Sequence, residues 1–153
     1  KDVTKLTESN DLSILKTLKL IFLLCTVNND KDQENLLDLY YNDFVAMPLG
    51  PVELSTYNFF LQSNFIDKKT LNKELIEEYR NMNFDNKNII DDCIEKLKAE
   101  NKNLIKCSAS QLVDLTHKYS CWINNYNKGK ESNSLREPIL NDEIKGDEKF
   151  YYI

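Results

Sequence analysis

A mostly α, multi-helix fold in one compact domain is what this sequence predicts, and three observations carry that reading. Apolar residues recur at helical spacing in several separate windows along the chain. Its 153 residues, 41% hydrophobic and 29% charged, suit a folded domain with one core of its own. No internal repeat, linker or second core interrupts the pattern. Six to eight helices are expected, with room for a short β-hairpin near Phe65 or Phe84.

The first helix is expected over Leu12–Val27, capped by Asn10 or Asp11. Ile14, Leu15, Leu18, Ile21, Phe22 and Cys25 form a broad apolar face, which makes it the central helix. Asn28–Asp30 then reads as a turn, and Asp32 as the cap of a second helix carrying Leu36, Leu37, Leu39 and Tyr40 inward. Asn42 and Asp43 mark its end.

The stretch FVAMPLGPVELSTYNFF, Phe44–Phe60, is read as the corner around which the chain is organised. Gly50 can take positive φ at little steric cost, and Pro51 suits the first turn of a helix. A helix is therefore expected from Pro51 to about Gln62, with Glu53 in its first turn and Tyr57, Phe60 and Leu61 on its stripe. Ser63–Lys69 is ambiguous between a strand and a turn. Leu71, Leu75, Ile76 and Tyr79 predict a further amphipathic helix.

Asp85 is expected to cap the next helix, with Ile89, Ile90, Cys93, Ile94 and Leu97 inside. Ser108 and Gln111 have the spacing of a capping box. The helix after them places Leu112, Leu115, Thr116 and Tyr119 on one face. Ser120–Trp122 reads as a turn or a second helical start, and Asn124–Gly129 as a polar exit. Pro138 is expected to open the terminal helix, with Ile139, Leu140, Ile144 and Phe150 inward.

The formal net charge of -5 and the absence of any basic tract disfavour nucleic-acid binding. No phosphate-binding glycine loop, nucleophile elbow or helical zinc motif occurs. The single histidine, His117, has Asp114 and Ser120 near it in sequence, but three nearby polar residues supply no pocket or oxyanion donors. Adjacent carboxylates such as Asp91–Asp92 do not face each other on a helix. The four cysteines are widely spaced, and Cys107, His117 and Cys121 make only a loose ligand set, so they read as small apolar side chains. A protein that is not an enzyme, with no cofactor and no metal, is the expectation. Leu18–Val27 is too short to span a bilayer, and a cytoplasmic, non-membrane protein is expected. Trp122, between Tyr119 and Tyr126, reads as a core anchor or an interface hot spot.

Two separated blocks carry a family resemblance. AMPLGPVELSTYNFF resembles a pattern written AWxYGPVxxxxYxxF, and LVDLTHKYSCWINNY resembles LxxLTHxxxPWxxA/Y. Their order and separation are similar to those of the Panacea domain family, the SocA-like, phage-associated antitoxins. TLKLIFLLCTVNN is similar to that family's first long helix and REPILNDEIKGDEKFYYI to its final stretch. By position, Gly50, Pro51, Val52 and Tyr57 match the first block, and Leu115, Thr116, His117 and Trp122 the second, with Tyr126 just beyond. Three positions depart from the pattern: Met47 for Trp, Leu49 for Tyr, and Cys121 for Pro.

The resemblance implies a mostly helical protein that neutralises a cognate toxin, encoded nearby, by direct protein–protein binding. The alternative it implies is an adaptor or scaffold of a phage or mobile element that presents its partner to a protease. The residues add a physical expectation: the Gly50–Pro51 corner and the Thr116–Trp122 bend should meet as two sides of one helical joint.

Overall fold

The computed structural model describes residues 12–28, 34–63, 66–67, 70–71, 80 and 82–153. Helix α1 (Ile14–Cys25) is central, as its broad apolar face requires. Ser13 caps it, accepting a hydrogen bond from the Lys16 N–H at 3.2 Å, while Asn10 and Asp11 lie outside the described residues. A single turn of helix follows as α2 (Leu36–Leu39), capped by Asn35. Asp32, the expected cap, is also outside the described residues.

The chain then forms a hairpin where a helix was expected. Strand β1 (Phe44–Met47) pairs antiparallel with β2 (Gly50–Glu53), in the register Met47↔Gly50 to Phe44↔Glu53. Pro51 therefore lies in an edge strand and does not open a helix. An edge tolerates its missing N–H because that side of the strand has no ladder partner. Helix α3 (Leu54–Gln62) starts only after Glu53, whose carboxylate caps it by accepting the Thr56 N–H at 2.7 Å.

A second, short antiparallel hairpin joins β3 (Ile66–Asp67) to β4 (Thr70–Leu71), beside Phe65 as one expectation had it. Phe84 is in no strand. The helix expected over Leu71–Tyr79 falls almost wholly outside the described residues.

Helix α4 (Lys87–Asn101) begins at Asn86, not Asp85, and Asn86 takes φ 62° there. Helix α5 (Ala109–Thr116) carries the capping box read from Ser108 and Gln111. After His117 the chain bends and α6 (Ser120–Glu131) begins. Asn124–Gly129 is thus helical and not an exit. The exit comes after Glu131, where the chain folds back so closely that a Cβ on Gly129 would lie 2.6 Å from the Ser134 carbonyl oxygen.

Pro138 likewise belongs to a strand, β5 (Glu137–Pro138), which pairs with β1 and completes a sheet ordered β2-β1-β5. The last helix, α7 (Asn141–Gly146), starts after Leu140. Ile139 and Ile144 are buried as expected, whereas Leu140 is exposed.

The fold is mostly helical with this small sheet inserted. Helices α3, α4 and α5 and strand β2 all pack on α1. At the centre, the Phe22 ring meets Phe44 and Tyr119 edge-on, with centroids 5.6 and 5.0 Å apart. Such a fully buried aromatic contributes about 2–3 kcal/mol through the surface it removes from water. A smaller cluster of Leu18, Val45, Val52 and Phe60 lies under the β1–β2 hairpin.

Candidate functional site

The two matched blocks meet at the hairpin tip. Gly50 takes φ +99°, a conformation that side chains other than glycine's rarely adopt. It is also crowded: a Cβ there would stand 2.8 Å from Thr116 Oγ1 and 3.1 Å from Lys19 Cε. Glycine is needed both for the turn and for the close approach of the end of α5. Thr116 is buried, and its hydroxyl donates to the Val113 carbonyl at 3.1 Å. The backbone N–H of His117 donates to the same carbonyl at 2.9 Å, closing the helix.

Trp122 joins the bend to the hairpin directly. Its indole N–H donates to the Met47 carbonyl at 2.9 Å, across 75 residues of sequence. The indole is mostly buried between two further rings. His117 stacks on one face at 3.8 Å and 6°, and Tyr126 on the other at 4.9 Å and 13°. Lys130 closes the ladder over Tyr126, 4.5 Å from its centroid. Gly50, Thr116, His117, Trp122 and Tyr126 thus belong to one continuous joint. Val52 points instead into the small cluster below the hairpin, and Tyr57 packs against that cluster from α3.

The reading of α1 as an amphipathic helix missed a residue that the joint depends on. Lys19 is fully buried, and its Nζ donates to the Pro51 carbonyl at 2.8 Å. Burial pushes its pKa from 10.5 down to about 7. His117 is also held below the usual histidine value, by burial first and then by the charge of Lys19, with Asp114 opposing. The His117 Nε2 atom is buried with no hydrogen-bond partner among the described residues. The only trace of Lys19 in the sequence is its position, one residue after Leu18 and three before Phe22 inside a strongly apolar helix, which by itself does not tell a buried lysine from one that reaches water.

Beside the joint, α1, the hairpin tip and α3 enclose a groove of about 480 Å³. Leu15 and Leu18 form one wall, Met47 and Leu49 the tip, and Tyr57 and Leu61 the other wall. Leu49 and Leu61 are 54% and 59% exposed, large apolar side chains at its mouth. No residue of α3 is charged, in a chain that is 29% charged. Met47 and Leu49, two of the three departures from the family pattern, are therefore groove residues. The third, Cys121, is buried at the start of α6, where its backbone N–H donates to Asp147 at 2.6 Å.

The chemistry available here is recognition of apolar surface. His117 presents its ring face to Trp122, and no hydrogen bond links it to Ser120 among the described residues. The thiols of Cys25, Cys93 and Cys121 are all pushed up, chiefly by burial, which disfavours the thiolate. Among the described residues no group of three or more His, Cys, Asp or Glu side chains is placed to hold a metal ion. None of their helices is long and apolar enough to cross a membrane.

A family model described as antitoxin SocA-like, Panacea domain, matches residues 18–123. That span takes in α1 from Leu18, the hairpin, the groove's far wall and the His117–Trp122 stack, and stops before Tyr126 and the C-terminal stretch. No curated protein and no solved structure matches the chain.

Proposed function

The chain belongs to the antitoxin SocA-like, Panacea domain family, and from that membership we propose that it neutralises a cognate toxin by direct protein–protein binding. The observation that carries the reading is the apolar groove set against the family's own signature corner. A pocket lined by aliphatic and aromatic side chains, with two large ones exposed at its mouth, suits the buried anchors that dominate protein interfaces. The groove supplies the centre of such a contact, since a stable interface removes about 800 Å² from each partner. The surrounding surface of α3 and the hairpin supplies the rest.

In this reading the protein works by occupancy and not by catalysis. The joint of Gly50, Thr116 and Trp122 holds the hairpin tip rigid, so that little ordering is needed when the toxin docks. The toxin's working site is then covered or distorted by the bound domain.

Co-expression with the product of the adjacent open reading frame tests the proposal. Rescue of growth together with co-purification of the two proteins is the expected result. A toxic neighbour that is neither rescued nor bound would overturn it.

A further inference from the structure

The lysine under the corner is placed to make the joint, and the groove beside it, sensitive to protons. Lys19 Nζ has one acceptor among the described residues, the Pro51 carbonyl, and no carboxylate within ion-pairing distance. A neutral amine is adequately served by that single bond. An ammonium brings three donors and a full charge into the same space, and two of the donors go unmet. Its way out is obstructed, because the end of the side chain lies against Gly50, 3.1–3.2 Å from where a Cβ would stand. The charged form is therefore held, stripped of water, against the residue that sets the corner.

Several titratable or charged groups come from the elements packed on α1. They include Asp114 and His117 at the end of α5, Glu53 of β2, Tyr57 of α3, and Cys93 and Lys96 among the charged residues of α4, while α1 itself adds the buried Lys16. Glu53 accepts the Thr56 N–H through Oε2, and its Oε1 is buried without a hydrogen-bond partner among the described residues. Of these groups, His117 is the one whose ionisation Lys19 opposes. It lies on the far side of the joint, stacked on Trp122.

We propose that Lys19 and His117 form a proton-operated latch: uncharged, they let the Gly50–Pro51 corner close on the Thr116–Trp122 bend, and a proton on either loosens that joint and the groove beside it. The consequence for antitoxin action rests on the groove being the toxin's docking face. The latch itself is a property of the free protein, and its failure would leave that docking reading untouched.

The sign follows from linkage. With a folded pKa near 7 against 10.5 unfolded, Lys19 leaves the native state with fewer bound protons across that window. Stability from this group rises with pH from about 7 to 10.5, by at most roughly tenfold in the folding equilibrium per pH unit, and is lost on acidification. Below about 7 Lys19 contributes no further change, and the depressed His117 extends the loss below pH 6.5.

His117 is the single histidine of the chain, so its ring C–H signals can be assigned in NMR spectra without ambiguity. In the Lys19→Met variant the His117 titration should move to higher pH than in the wild type. The wild type's gain in stability over the variant between pH 7 and 9 should also disappear as pH falls. Identical His117 titrations, with parallel stability curves, would overturn the latch. Should K19M not fold, the lysine side-chain signals of the wild type decide: one should titrate near neutral pH, and all of them titrating above pH 10 would overturn it.

Discussion

Gly50 shows how much of the joint depends on one missing side chain. Gly50→Ala forces an L residue to φ +99° and drives its Cβ to 2.8 Å from Thr116 Oγ1. We expect a loss of about 2–4 kcal/mol in urea unfolding from strain and overpacking together. Trp122→Phe keeps a ring between His117 and Tyr126 but leaves the half-buried Met47 carbonyl without its indole donor, for a cost of about 1–2 kcal/mol. Circular dichroism should follow that variant, because Trp122 is the chain's sole fluorescent indole. Both residues were legible in the sequence, since glycine and tryptophan are read by their own exceptional chemistry. Lys19 was not. A binary reading assigns every lysine to water, and burial of this one is settled by a carbonyl 32 residues away.

At the scale of elements, the helices were readable and the sheet was not. Period-2 alternation needs one wet face, and β1 has none to offer: Phe44, Val45 and Ala46 are all buried. What remains is a short apolar run followed by Pro-Leu-Gly-Pro, which looks like a helix entry. The strand assignment has a consequence. Pro51→Ala adds an N–H to an edge that is buried against α1 and offers it no ladder partner, so it should cost about 1–3 kcal/mol, where the same change at the first turn of a helix would be nearly neutral. The helix actually starts at its Glu53 cap, and Glu53→Ala should cost about 1 kcal/mol or more, with Glu53→Gln recovering part of it. Thermal unfolding of the three variants separates the two placements of the helix start. The length of α6 was hidden for a related reason. Its buried positions are Cys121, Trp122, Asn125 and Gly129, and the last two bring no apolar side chain to the stripe. Asn125 is tolerated inside because its amide donates to the Cys121 carbonyl and to Glu143, at 2.9 and 3.0 Å.

Across the whole molecule, family blocks that begin 66 residues apart in sequence, at Ala46 and Leu112, become one corner that shapes an apolar groove. The meeting of the blocks could be argued from residue types alone. The groove could not, because its walls come from α1, the hairpin and α3, and only the hairpin course brings Met47 and Leu49 to its mouth. If this groove is where a toxin is held, its exposed side chains allow that to be tested without disturbing the core. Leu49→Asp combined with Leu61→Asp should leave the unfolding free energy within about 1 kcal/mol of wild type, since both side chains are more than half exposed. The decisive measurement is the dissociation constant of the purified protein for the neighbouring gene's product, wild type against that double variant, by isothermal titration calorimetry. At least a hundredfold weakening is expected, the loss of about 3 kcal/mol that buried anchors typically supply. Unchanged affinity in a folded double variant would place the docking face elsewhere on the molecule.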